Sequence, residues 1–449
     1  MYWILGFFVS CSFLYATTLS DFIAIDSSLQ RAQMGVSVID VNTGKQVFGY
    51  NSNKNMLPAS LMKIPLAAAV YAKFGPEHKF ETRLSYTGRV SEDGVLHGDV
   101  IIEGGGDPTL NSSILDEWVQ SLTKMGISSV EGQVVADASC FESMLSSPSW
   151  EFEDLSSYYA GIASGLSIDG NTYEVVIKGG QKEGDPSVIE QVGKAVPGLL
   201  LFNEVTTGGD LPNSTVFGVE YSPLQIFRGS VPANMQYSMR GTLPDPARYT
   251  GELLRRRLSM SNDVKTIRKR GEVAGKMLLH SHKSPKVSEI VKTMCHESNN
   301  LYAQHLVKHL GGGYEKEGVK YEKKYLKELG LSMHVADGPG ISRQNYGSAN
   351  AFAKLIQQMR ADGNTRLIVD TFPEMGVSGA LRSMELVPGA RVLGKTGILR
   401  SVTNLCGVVQ LDTGKEYAFA FLVNNHEASN KTVREFIRRF IEELVKELR

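Results

Sequence analysis

Three short segments carry side chains that could do nucleophilic chemistry together. In Ser60-Leu61-Met62-Lys63 an amine follows a hydroxyl by three positions, ahead of an apolar, alanine-rich stretch from Ile64 to Tyr71. Ser298-Asn299-Asn300 lies within a helical pattern running from Val287 to Leu310, and Lys395-Thr396-Gly397 precedes a late pair of apolar runs. A serine hydroxyl is a weak nucleophile until a nearby base takes its proton. At a helix start, positions three apart share one face, so Ser60 and Lys63 can meet. A free lysine has a pKa of ~10.4, whereas a general base works best at ~7–8. The required shift of about three units corresponds to roughly 4 kcal/mol. Burial and a second cation, for which Lys395 is the candidate, both act in that direction.

The remaining residues fit the same chemistry. Ser298 can relay a proton to a leaving amine, and Asn300 can hold a substrate amide. Lys395 can attract a carboxylate, Thr396 can hydrogen-bond to it, and Gly397 lets a strand backbone approach a substrate closely. The backbone N–H groups of Ser60 and Ile398 would form the oxyanion hole, where one donor is typically worth about 2.7–4 kcal/mol. No metal or cofactor is required. Each segment alone is weak evidence: Ser121-Leu122-Thr123-Lys124 and Ser348-Ala349-Asn350 match the same short patterns. Ser121, however, falls in mid-helix, whereas Ser60 follows Pro58 at a helix start, where backbone N–H groups are unpaired and the helix dipole is positive.

The elements that must position these groups lie at both ends of the chain. Val36 to Val41, the turn Asn42-Thr43-Gly44 and Gln46 to Phe48 read as a β-hairpin. Asn404 to Leu411, Asp412-Thr413-Gly414 and Tyr417 to Val423 read as a second, whose continuous apolar runs suggest a sheet buried on both faces. A closing amphipathic helix carries the stripe Val433, Phe436, Ile437, Phe440, Ile441, Leu444, Val445 and Leu448. Between these ends the texture changes to short strands and glycine turns, with one helix starting at Ser113 and stopping before Gly126. The expected organisation is a catalytic domain from residues 21–78 and 245–449, an inserted domain at 79–164 and a second, β-rich one at 165–244. The fold class is mixed α/β, an antiparallel sheet flanked by helices.

A chain of 449 residues exceeds one ordinary core, which agrees with that division. With 47 basic and 48 acidic residues there is no bulk attraction to nucleic acid, and Arg255-Arg256-Arg257 is expected on a solvated helix face. The first 20 residues carry no charged side chain and read as an export signal, with an uncleaved anchor or a lipid on Cys11 as alternatives. Such retention would associate the protein with a membrane. Cys11, Cys140, Cys295 and Cys406 lack metal-ligand spacing, so free buried thiols are the default expectation, with one disulfide of unassigned pairing as the alternative. Gly104-Gly105-Gly106 lacks the G-K-[ST] ending of a phosphate loop and reads as a tight turn. His305 and His309 have no HExxH-like partner and read as surface helix residues.

Taken in order, the three segments resemble the signature of penicillin-binding proteins and class A β-lactamases. The wider sequence resembles the D-alanyl-D-alanine carboxypeptidase/endopeptidases of the penicillin-binding protein 4 type (peptidase family S13). The similarity includes Glu103 to Leu110, His282 to Pro285, Asp337 to Arg343, Ser378 to Arg382 and Ala418 to Asn424. Over half of the chain separates Ser60 from Ser298, as in the branch that carries extra domains there. The resemblance implies a penicillin-binding transpeptidase-type domain and an acyl-enzyme on Ser60. It implies peptidoglycan stem peptides as substrates, β-lactams as covalent ligands, and action in the periplasm or at the outer face of the cytoplasmic membrane. It also implies that Asp154 binds the amino group of a peptidoglycan side chain and that Arg343 contacts substrate. A β-lactamase or esterase on the same fold, or a non-catalytic peptidoglycan-binding protein, are the alternatives. Three residues depart from the family pattern: Ile398 replaces the Ser or Thr that follows KTG, Pro339 replaces a Ser, and Pro65 falls inside the expected helix.

Overall fold

The computed structural model describes residues 29–449 except 193–195 and 272, together with Leu19, Phe22 and Ile23. The export signal expected over residues 1–20 lies outside the described residues apart from Leu19, as does Cys11. Among the described residues no helix is long and apolar enough to cross a membrane.

Both chain ends meet in one antiparallel five-stranded sheet, ordered Gln46–Tyr50, Gln33–Asp40, Glu416–Asn424, Val402–Leu411, Ala390–Leu399. Strand periodicity sends alternate residues to opposite faces. Phe419, Phe421 and Val423 join Phe436, Ile437 and Phe440 of the closing helix Asn430–Leu448 in one core. Ala418, Ala420 and Leu422 join the helices Lys63–Phe74 and Ala349–Ala361 in the other. Two-sided burial explains why these strands read as unbroken apolar runs rather than alternating ones. Phe22 packs on Phe436 and Phe440, so the start of the described chain also covers the closing helix.

The chain leaves this core at Phe80 and returns at Ser284, and these two residues are clasped: Ser284 N–H donates to Phe80 O (2.8 Å) and Phe80 N–H to Ser284 Oγ (2.9 Å). Between them a second sheet is ordered Val264–Ile267, Val134–Asp137, Val100–Glu103, Glu81–Tyr86, Met277–Lys283. From sequence the chain was expected to rejoin the terminal core at residue 245. Instead, Val264–Ile267 pairs in parallel with Val134–Asp137, and Met277–Lys283 pairs antiparallel with Glu81–Tyr86. Residues 246–283 thus complete the first inserted sheet, because its two edge positions are filled by strands that come late in the sequence. Residues 172–242 form two three-stranded sheets beyond it.

The segment from Phe141 to Ser167 lies over the helix Asn300–Leu310. This overturns the expectation that His305 and His309 are surface residues. His305 is fully buried, its Nδ1 against Leu301 O (2.9 Å) and its Nε2 against Ser167 Oγ (2.9 Å). His309 stacks on Phe80 at 3.7 Å and contacts Gly106 O through Nε2 at 2.8 Å. Burial lowers both imidazoles, His305 to about 3 and His309 to about 4, so both are neutral. Cys140, Cys295 and Cys406 are free thiols.

Candidate active site

Ser60 lies on a 3-10 turn, Ala59–Met62, that runs directly into the α-helix Lys63–Phe74. The α-helix starts late enough to put Pro65 in its first turn, where a missing N–H costs no hydrogen bond. Two glycines allow other segments to close on this turn. A Cβ on Gly340 would sit 2.0 Å from Ala59 O, and one on Gly397 would sit 2.3 Å from Pro58 O. Gly397 therefore lets its strand approach the serine turn closely. The turn is also tied to the sheet. Asn404 Nδ2 donates to Leu57 O (2.9 Å) and Pro58 O (3.0 Å), while Asn424 Oδ1 accepts from Leu57 N–H (2.7 Å).

The amine of Lys63 is entirely buried and has three oxygen neighbours: Ser60 Oγ at 3.0 Å, Asn300 Oδ1 at 2.5 Å and Pro339 O at 2.6 Å. Burial and the nearby charge of Lys395 hold its pKa well below the usual lysine value, against smaller opposing effects of Asp337 and Cys295. A neutral amine has two N–H donors and one lone pair. Asn300 and Pro339 take the two donors, leaving the lone pair for the Ser60 hydroxyl.

Ser298 sits between the helices Val287–His296 and Asn300–Leu310 at a φ of 57°, a left-handed conformation that a non-glycine residue rarely adopts. Asn299 caps the second helix by accepting from Tyr302 N–H (3.1 Å), which aims the next residue, Asn300, at Lys63. The other end of the Asn300 amide donates to Tyr159 O (2.6 Å), so both of its ends are engaged within the protein. Lys395 Nζ donates to Ser298 Oγ (2.8 Å) and Thr396 O (2.7 Å), and burial lowers its pKa to about 8. Its strand lies at the sheet edge. Gly394 N–H donates outward to Pro373 O (2.9 Å) and Val392 O accepts outward from Met375 N–H (2.9 Å). The ladder from Ala390 to Leu399 has no register shift, so Ile398 N–H also points off the open edge.

A cleft of about 470 Å³ opens onto Ser60, Ser298, Asn300 and Ile398. Thr396 is buried and does not line it. The inserted segment supplies the facing wall with Asp154, Tyr158 and Tyr159. Asp154 accepts from Tyr159 Oη (2.8 Å), and partial burial raises its carboxyl above the usual range. Arg343 also lines the cleft, but its Nε pairs with Glu151 Oε1 at 2.8 Å, tying core to insert. All ten residues singled out from sequence converge here, either lining the cleft or packed directly behind it. The decoys do not: Ser121 Oγ back-bonds to Glu117 O (2.8 Å) and Ser348 caps a helix.

One residue that sequence reasoning did not assign organises the loop behind the amine. The buried carboxylate of Asp337 accepts from the N–H groups of Gly340, Ile341 and Ser342 at 3.0, 3.0 and 2.9 Å. It also accepts from Trp150 Nε1 (2.7 Å) and Asn345 Nδ2 (2.6 Å). Five donors on one carboxylate fix the loop whose Pro339 carbonyl meets Lys63.

The model of the D-Ala-D-Ala carboxypeptidase 3 (S13) family matches residues 16–444. The chain belongs to this family. It is therefore an enzyme, a D-Ala-D-Ala carboxypeptidase by class. Among curated relatives it is 25% identical to the D-alanyl-D-alanine carboxypeptidase DacB of Haemophilus influenzae, over 93% of this chain and 91% of that protein. It is 28% identical to the D-alanyl-D-alanine carboxypeptidase of Actinomadura sp. (strain R39), over 90% of this chain and 80% of that protein. The crystal structure of penicillin binding protein 4 from Haemophilus influenzae superposes with a TM-score of 0.83 at 24% identity, covering 96% of this chain and 99% of that one. This S13 enzyme thus has the mixed α/β fold expected from its sequence.

Proposed function

We propose that the enzyme hydrolyses D-Ala-terminated peptidoglycan stem peptides through an acyl-enzyme on Ser60, and that β-lactams acylate the same oxygen. The observation that carries this reading is the buried Lys63 amine, 3.0 Å from Ser60 Oγ and 2.5 and 2.6 Å from Asn300 Oδ1 and Pro339 O. Lys63 takes the Ser60 proton as the oxygen attacks the scissile carbonyl. The resulting ammonium then donates to all three oxygens around it. Burial, and then the charge of Lys395, a cation below about pH 8, lower the pKa of Lys63 and favour its neutral form beforehand. The oxyanion forms between the N–H of Ser60, in the first turn of its helix, and the outward N–H of Ile398. Because this donor is backbone, the isoleucine at 398 does not remove it. Ser298 gives its proton to the leaving amine and is reprotonated by the Lys395 ammonium 2.8 Å away. This leaves Lys63 an ammonium and Lys395 a neutral amine. Loss of one proton from Lys63 to solvent and gain of one by Lys395 restore the pair, so that net one proton passes from Ser60 to the leaving amine. Water later releases the acyl group. The same step serves a terminal D-Ala and a bridging D-Ala bond. Asp154 on the facing wall binds the amino group of a stem-peptide side chain. The enzyme is exported by its leader and acts outside the cytoplasm.

Labelled penicillin and stem peptides test this together. Wild type should form a long-lived adduct on Ser60 and release D-Ala, and Ser60→Ala should do neither. Equal labelling of Ser60→Ala would refute the acyl-enzyme, and rapid turnover of the adduct would favour a β-lactamase.

A further inference from the structure

Resting on the acyl-enzyme reading above, we infer that Arg400 is a specificity-determining residue that binds the carboxylate of the departing D-Ala. The cleft has few cations available to such a group. Arg343 is paired with Glu151 at 2.8 Å. Lys395 is 1% exposed and is engaged with Ser298 and Thr396 O. Arg400 lines the same cleft, is exposed, and makes no hydrogen bond or ion pair among the described residues.

Its placement is fixed by the backbone. Leu399 pairs with Val402, so Arg400-Ser401 is a two-residue hairpin turn, with Ser401 at a φ of 59° and its carbonyl accepting from His426 N–H (3.3 Å). Ile398, two residues earlier, is about 7 Å back along the strand, within the span of an arginine side chain. A guanidinium offers five N–H donors in a planar fork that matches a carboxylate, and it stays charged at every working pH. Ile398 offers no hydroxyl to such a group, and Thr396 is buried and does not line the cleft. The acidic wall of Glu153 and Asp154 comes from a different element, the inserted segment. The cleft therefore presents an acidic wall from one part of the chain and a free guanidinium from another.

The test compares kcat/KM for a peptide ending in D-Ala-D-Ala as free acid and as C-terminal amide. For Arg400→Gln the acid-to-amide preference should fall about 10- to 100-fold, the range of a lost charge-assisted hydrogen bond, and the change should appear in KM. Arg400→Lys should restore part of the preference. Labelled penicillin counts intact active sites in every preparation, so misfolded protein does not enter the comparison. An unchanged acid-to-amide ratio in Arg400→Gln would overturn the inference. Absence of a Ser60 adduct in wild type overturns the parent reading instead, and this inference with it.

Discussion

Replacing Asp337 by asparagine probes how the amine of Lys63 is held in place. One carboxylate oxygen accepts from Gly340 N–H and Asn345 Nδ2, and the other from Trp150 Nε1, Ile341 N–H and Ser342 N–H. An asparagine amide has one oxygen, so whichever way it is oriented at least two buried donors face an NH₂. Each orphaned buried donor costs about 1–3 kcal/mol, which puts the pair at roughly 2–6 kcal/mol. Some of that appears as lost stability, and some as movement of the loop that carries the Pro339 carbonyl away from Lys63. Even 1.4 kcal/mol on the acylation barrier is about tenfold in rate. The assay is the second-order rate of Ser60 acylation by a fluorescent penicillin across a pH series, with urea unfolding in parallel. Acylation should slow by about tenfold or more. A merely structural role would not move the pH profile, but Asp337 also raises the pKa of Lys63 by its charge. Removing that charge should shift the acidic limb, which reports deprotonation of the base, to lower pH. Acylation within about twofold of wild type, with an unmoved limb, would refute the positioning role whatever happens to stability.

Lys63→Met keeps the length of the side chain and removes the base, and acylation should fall by about 10²–10⁴-fold, the usual worth of general base catalysis. Stopped-flow penicillin binding checks this. Glu315 is buried in the helix Glu315–Glu328, and burial raises its carboxyl from 4.5 to about 7. Its folded form holds the proton more tightly than the unfolded chain does, so its contribution falls as pH rises from about 4.5 to 7, by roughly 3 kcal/mol, and then levels off. Urea unfolding of Glu315→Gln across that window should show a shallower decline than wild type. Asp154→Asn should reduce hydrolysis of stem peptides with a free side-chain amine by about tenfold, as expected for a lost charge-assisted hydrogen bond, relative to their N-acetylated forms. Competition between the two substrates, read by mass spectrometry of the released peptides, measures the ratio.

What could be read from sequence follows from which interactions are local. Turn residues at Asn42-Thr43-Gly44 and Asp412-Thr413-Gly414 mark both hairpins, and the 3.6-residue stripe marks the closing helix. The late end of the inserted sheet was not legible. Val264–Ile267 is only four residues long, and its partner Val134–Asp137 is remote in sequence. For the same reason His305 and His309 read as surface residues: their polarity is local, while the segments that cover them are not. Lys308 lies under the segment from Phe141 to Ser167, its Nζ donating to Met144 O and Ala163 O.

The site divides along the same line. Serine, amine and second amine were recognisable because their chemistry lies in their residue types. What holds them does not repeat with any period. Asp337 and Asn345 sit in an irregular loop, and their value depends on Trp150 arriving from the insert. Asn404 and Asn424 did leave a trace, as amide side chains in largely apolar strands. A buried amide of that kind must find partners, and theirs are the backbone groups just ahead of Ser60. Ala59 at a φ of 51° and Ser298 at 57° show the cost of this arrangement, since neither residue favours that conformation without support. The surrounding contacts hold the backbone at these two positions against its local preference. The nucleophile's geometry is therefore set by strands and loops far from its own segment, and substitutions there should reach the chemistry without touching a reacting atom.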